Sequence, residues 1–253
     1  MRLDRKSAAV MGLLLFASAS QATVVPRSEP STLPFDIAVA GIRIGTLELD
    51  VSQSNGRYTV GATGDYRVLF WGGELNATAD GVLTADGPRP RSYALVNDDE
   101  DPFTAEIEFD PAGGATRWER VPPAPAEWTE GRLPLQERHL QAAVDPVTAL
   151  AASLLDSGTQ TAPSVCDETL RVFTGFVVFE LEFAAAQPTT DGGVTCAATY
   201  RALSGHRDGS RSVRRLSKPN AIDVSFERLK DGMWVPSRVA LPTAAGTLTI
   251  TRI

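Results

Sequence analysis

From Phe35 to the end of the chain, apolar side chains recur at every second position, and this period constrains the fold more than any other feature. An extended strand turns successive side chains to opposite faces, so alternation marks strands with one buried side, and strands require a sheet. FTAEIEF puts Phe103, Ala105, Ile107 and Phe109 on one face and Thr104, Glu106 and Glu108 on the other. FVVFELEF, AIDVSFERL and TLTITRI alternate in the same way. In GIRIGTLELDV the apolar parity switches between Ile44 and Leu47, which predicts a β-bulge near Gly45 and Thr46 that keeps both apolar sets on one core. Asn55-Gly56 predicts a tight type I′ hairpin. Asp110 to Gly114 and Asp231-Gly232 read as turns, and Pro236 predicts an edge or a bulge because it lacks a ladder donor.

One stretch breaks the period. In AVDPVTALAASLLDSG, Asp145 fits an N-cap and Pro146 the first helical position. Val147, Leu150, Ala151, Leu154 and Leu155 form an apolar face, and Gly158 is a natural stop, giving a helix over 146–156. The preceding VPPAPAEW reads as a surface connection, with a domain boundary there as the alternative.

The first residues, MRLDRKSAAVMGLLLFASASQATVV, combine Arg2, Arg5 and Lys6 with a short apolar run and a small-residue exit at Ala22. This is the pattern of a cleaved secretory signal peptide, and the run is too short to span about 30 Å of hydrocarbon. The expected organisation is a signal peptide at 1–22, a flexible segment at 23–34 and one β domain at 35–253. Without the leader's three basic residues and one acidic residue, 21 Lys plus Arg face 30 Asp plus Glu. That excess of acid argues against general nucleic-acid binding, which needs a basic face.

Cys166 and Cys196 are the two cysteines. In an exported chain they are expected to pair, closing a loop worth roughly 3 to 4 kcal/mol of unfolded-chain entropy. A reactive thiol is the weaker reading, because no CxxC spacing or catalytic signature accompanies either. His139 and His206 belong to no recognisable triad, and the nucleophile elbow, zinc-peptidase, P-loop and dinucleotide motifs are absent. The acidic run Asp98 to Asp101 lacks the spacing of a calcium loop and reads as a solvated turn. No catalytic residue, metal or cofactor is therefore expected.

Several segments resemble, in this order, the DUF3108 family of exported bacterial proteins: GIRIGTLELDV, LVNDDEDPFTAEIEFD, DPVTALAASLL, CDETLRVFTGFVVFELEF, CAATYRALSG and GMWVPSRVALPTAAGTLTI. The likeness covers nearly all of residues 35 to 253. Where that family often has Phe-Asp-Gly, this chain has Phe173-Thr174-Gly175. The resemblance implies a periplasmic protein of a Gram-negative bacterium, mainly β, with a curved antiparallel sheet or incomplete β-barrel. The helix at 146–156 would plug it. The family carries no established reaction to transfer.

Binding candidates are aromatic or basic. Leu69, Phe70 and Trp71 are consecutive and cannot all face one core, so Phe70 and Trp71, with Trp234, are candidates to line a ligand cavity, core packing being the alternative. RDGSRSVRRLSK gathers Arg211, Arg214 and Arg215, candidates for an anionic surface contact, with a solvated loop as the simpler reading. The leading expectation is a non-catalytic envelope protein, not membrane-spanning, that binds a hydrophobic small molecule or lipid in a concave sheet. The alternatives are a scaffold or protein-interaction module of the envelope and, less favoured, a hydrolase acting on envelope polymers through paired carboxylates.

Overall fold

The computed structural model describes residues 31–68, 71–155, 162–230 and 232–253. Strands β1 (Ser31–Val39), β2 (Ile42–Ser54), β3 (Arg57–Val68), β4 (Trp71–Thr84), β5 (Gly87–Asp98), β6 (Phe103–Phe109) and β7 (Ala115–Val121) follow one another directly. A connection then carries three short helices, α1 (Ala126–Thr129), α2 (Glu137–Leu140) and α3 (Pro146–Ala151). The second half comprises β8 (Thr169–Phe173), β9 (Val178–Phe183), the two-residue β10 (Gln187–Pro188), β11 (Val194–Ser204), α4 (Arg211–Leu216), β12 (Ile222–Arg228), β13 (Trp234–Thr243) and β14 (Gly246–Arg252). The protein is mainly β, as the alternation predicted.

All the strands join one 14-stranded sheet ordered β7-β6-β5-β4-β3-β2-β1-β14-β13-β12-β11-β9-β8, with β10 beside β11. The pairing of β1 with β14 welds the first half to the second, and the sheet curls into a nearly closed antiparallel barrel. Its two ends meet through rings. Trp118 on β7 lies edge-on to Phe173 on β8 at 5.5 Å, and Phe103 on β6 lies edge-on to Phe176 at 6.2 Å.

Local sequence explains the hairpins and bulges. Asn55 (φ 52°) and Gly56 (φ 71°) both occupy the left-handed region that a type I′ turn demands. The bulge predicted near Gly45 is present: Ile37 faces Gly45 and Ala38 faces Arg43, which leaves Ile44 as the extra residue. Gly45 is required there by a close approach, since a Cβ would lie 2.1 Å from the Asp65 carbonyl oxygen. One expectation fails at this point: Ile42 is 71% exposed, so the two apolar sets do not share a core, because Ile42 falls at the strand's open start beyond the packed interior. Pro236 sits in a bulge of β13, where Ser225 faces Arg238 and Phe226 faces Pro236. β1 begins at Ser31, so residues 31–34 of the segment expected to be flexible are strand, with Leu33 buried.

Two apolar clusters fill the interior. The first gathers Phe35, Leu49, Val51, Val60 and Ile107 of the sheet around Val147, Ala151, Leu154 and Leu155 of the connection, so α3 is the expected plug. The second gathers Cys196, Tyr200, Val224, Phe226 and Trp234 around Val165 and Cys166. The β8–β9 pair lies between them: Phe173 and Val178 face the first, while Leu170, Phe179 and Leu181 face the second. The α-helix itself ends at Ala151, earlier than the expected 156. Beyond it, Leu154 and Leu155 both donate their amides to the Ala151 carbonyl, which bends the chain inward and buries both leucines. The expected stop at Gly158 lies outside the described residues.

Candidate binding cleft

The plug does not reach the rim of the barrel. A cleft of about 790 Å³ opens there between the β2–β3 and β4–β5 turns on one side and residues 142–144, 152–155 and 164–171 on the other. The two turns are tied together, since the Leu83 amide donates to the Gly56 carbonyl at 2.8 Å. They share one end of the barrel because successive hairpins of an up-and-down sheet turn at alternate ends. Across the cleft, Gln53 Nε2 donates to the Leu154 carbonyl at 2.8 Å, spanning sheet and plug.

Its floor is apolar and its rim polar. Leu83, Val144, Leu155, Val165 and Leu170 contribute hydrocarbon, and Gln53, Arg89, Glu168 and Thr169 stand around them. Arg89 is paired with Asp86 at 2.9 Å. Arg171, also on the lining, is committed inward: Nε and Nη2 donate to Glu180 Oε1 at 3.0 and 2.7 Å, and Nη1 donates to the Gln141 carbonyl at 2.8 Å. Glu180 is buried, and this forked pair is what makes its burial tolerable.

The cysteines anchor one wall. Cys166, in the turn that enters β8, and Cys196, in β11, stand at bonding distance with Cα atoms 5.8 Å apart. Val165 of the cleft floor is the neighbour of this junction, so the disulfide holds the plug's exit strand against the sheet.

The buried ionisable groups serve the fold. Asp145 is fully buried; its Oδ1 accepts the amides of Val147 at 3.0 Å and Thr148 at 2.8 Å, the N-cap the sequence predicts. Burial outweighs these hydrogen bonds and pushes its carboxyl up to about 6. Tyr58, whose phenol burial pushes well above the usual tyrosine range, meets Thr148 Oγ1 at 3.1 Å. His206 is buried, with Nε2 3.2 Å from the Val178 carbonyl and 3.2 Å from Tyr200 Oη. A carbonyl only accepts, so Nε2 carries a proton, and desolvation lowers the ring's pKa. The acids Glu180 and Glu182 lie at alternate positions of β9, and Arg201 reaches both, forming an ion-paired array. In the acidic run, Asp99 accepts the Asp101 amide at 2.9 Å and the Tyr66 hydroxyl at 3.1 Å, and these bonds, with one from Asn97 as the largest influence, hold its carboxyl below the usual range.

The sequence candidates distribute unevenly. Phe70 lies outside the described residues, as does the side chain of Trp71. Trp234 is 5% exposed within the second core, the Arg228 guanidinium 5.7 Å from its ring, so it packs the interior and does not line the cleft. Arg211, Arg214 and Arg215 are helical, a correction to the loop expected there: Ser210 Oγ caps α4 by accepting the Val213 amide at 3.3 Å, and Val213 and Leu216 lean on the second core. Arg214 donates to the Gly209 carbonyl, and Arg215 borders a shallow depression beside Lys218 and the β13–β14 turn. The cleft itself escaped sequence reasoning, because its lining comes from hairpin tips and plug residues far apart in the chain. The Asn55-Gly56 turn, the Asp110 to Gly114 turn and Leu155 were its legible landmarks.

Comparison with protein-family models, curated proteins and solved structures found no match for this chain. No helix among the described residues is long and apolar enough to cross a membrane.

Proposed function

We propose that this is a non-catalytic exported protein that binds a hydrophobic small molecule or the apolar part of a lipid in the rim cleft. The observation that carries the reading is the cleft's construction, about 790 Å³ in all, with apolar side chains at its floor and polar groups around them. That volume falls in the range of about 300 to 1,000 Å³ typical of small-molecule sites. Burial of hydrocarbon on Leu83, Val144 and Leu170 supplies affinity, and the Gln53 and Thr169 side chains orient a polar end. A cysteine pair at bonding distance suits an oxidising compartment. With the leader and the DUF3108-like segments, it supports a periplasmic location.

Native mass spectrometry of the signal-cleaved protein, recovered from periplasm without detergent, tests this directly. The expected result is a co-purified apolar adduct, displaced by a fluorescent fatty-acid probe whose saturable binding falls at least tenfold in Leu83→Asp, measured at a temperature where both proteins are fully folded. A protein that carries no adduct and binds the probe no better than Leu83→Asp overturns the reading.

A protein-interaction role is the second reading, and a different feature favours it, the open outer strand of the sheet.

A further inference from the structure

The chain treats the two outer strands of its sheet differently. β8 is covered: the Val144 amide donates to the Arg171 carbonyl and the Phe173 amide to the Val144 carbonyl, each at 2.9 Å, so the connection adds a short parallel bridge along that edge. β7 has no such cover. Its strand neighbour is β6, and among the described residues no backbone hydrogen bond leads outward from Thr116 to Val121. Thr116, Arg117, Trp118, Glu119 and Val121 are all exposed, with Val121 at 54%.

An uncovered edge is a template for another strand, and charged side chains along it discourage any partner that does not complement them. β7 carries both signs, Arg117 and Glu119 flanking Trp118. We infer that β7 pairs antiparallel with β7 of a second copy of this chain, about a two-fold axis through Trp118. In that register Arg117 of each copy lies opposite Glu119 of the other, giving two opposite-charge pairs. Trp118 faces its own counterpart, and Val121 faces Ala115. Shifting the axis to Arg117 or Glu119 sets two like charges face to face; a half step towards Glu119 sets Arg117 opposite Arg120, and a half step towards Arg117 loses both opposite-charge pairs. An axis between Glu119 and Arg120 also opposes unlike charges, but the Arg120 guanidinium is already engaged, 4.1 Å from the Phe103 ring centre and donating to the Pro122 carbonyl. The register about Trp118 is the one that pairs Arg117 with Glu119.

The side chains are free to serve it. Arg117 is 66% exposed and makes only long contacts of 3.4 Å to Glu108 and Glu119, which water weakens. Trp118 is already oriented by Phe173 on one side and 39% exposed on the other, so little ordering accompanies its burial. Such a contact is isologous, closes as a dimer, and joins two barrels through a continuous sheet.

The test uses the full signal-cleaved chain with its disulfide intact. Sedimentation velocity over a concentration series is expected to show a monomer–dimer equilibrium. Arg117→Glu alone and Glu119→Arg alone each weaken it about tenfold or more, since cross-strand pairs of like charge repel. An equimolar mixture of the two variants restores the dimer, because each then meets its complement. In a second measurement, Trp118→Cys forms an intermolecular disulfide under mild oxidation, as directly opposed residues about 4.5 to 5.5 Å apart allow, whereas Arg117→Cys and Glu119→Cys do not. A wild-type chain that stays monomeric throughout overturns the inference, including one whose β7 amides become protected from exchange by some other protein's strand in periplasmic extract. A dimer that survives either single charge reversal overturns it too, as does a mixture of the two variants that remains monomeric while both keep their native melting transitions.

Discussion

Tyr58, in the middle of the sheet, and Thr148, in the plug helix, meet through their hydroxyls at 3.1 Å across a separation of 90 residues. Both are buried, and the contact fixes the height of α3 inside the barrel. Tyr58→Phe removes one partner of the Thr148 hydroxyl, which keeps the Asp145 carboxylate as its other, and is expected to cost about 0.5 to 1.5 kcal/mol. In a Thr148→Val background the same change should cost less. Urea unfolding of the single and double variants gives the coupling directly, and strictly additive effects would show that the two hydroxyls do not interact.

Asp145 gives the protein a distinctive pH response. Its carboxyl titrates near 6 in the folded protein, against 3.8 for an aspartate in water. The folded form therefore holds the proton more tightly. Stability contributed by the protonated acid is fully present below the unfolded value and is lost as pH rises through the folded one, by about 3 kcal/mol in all. Asp145→Asn keeps the capping acceptor and removes the charge. The stability gap between variant and wild type should open in the variant's favour between pH 4 and pH 7, as measured by denaturant unfolding at each pH. A gap that stays constant would place the titration elsewhere.

The disulfide is expected to support both the fold and the cleft. Replacing Cys166 and Cys196 with serine opens a loop of 30 residues, a loss of about 3 to 4 kcal/mol by the chain-entropy model. Because Val165 borders the junction, the fatty-acid probe should also bind more weakly at temperatures where the variant is fully folded. Thiol labelling after unfolding without reductant checks the premise: wild-type protein should take up no label.

Gly205 is constrained twice. Its φ is +77°, and a Cβ would stand 2.0 Å from the Phe176 carbonyl oxygen, while its own amide and carbonyl hold Leu133 and Arg132 of the connection. Gly205→Ala should cost about 3 kcal/mol or more, combining left-handed strain with overpacking. Gly192, at φ +86° with open space around it, is the control, and Ala there should cost only about 1 kcal/mol. Thermal unfolding of the two variants, side by side, separates backbone strain from contact.

The legible parts of this fold were those written in neighbouring residues. Asn55-Gly56, the alternation of 103–109, the Asp145-Pro146 start and the Pro236 bulge each express a local rule, and each appears in the structure. What the alternation could not reveal is a strand pair buried on both sides. FELEF reads as half-exposed, yet Glu180 is buried because β8 and β9 run between two cores, and Arg171 is the partner that permits it. Trp234 and Val235 are neighbours sent to different cores for the same reason. The basic stretch hid a helix because α4 is a short element held by Ser210 and by two apolar contacts, Val213 and Leu216, too few for a periodic signal. The cleft was illegible in principle, being a property of where hairpin tips and plug end up.

Phe35 faces Arg252 across the seam of β1 and β14, so the earliest strand of the sheet finds one of its two neighbours in the last. A folding chain can assemble β1 through β7 as successive hairpins, but β1 keeps a bare flank until β14 docks. Closure of the sheet thus waits for the β13–β14 hairpin, and during that interval the half-built meander is exposed to premature strand exchange. A holding factor, or fast arrival of the carboxyl-terminal hairpin, would shorten that window.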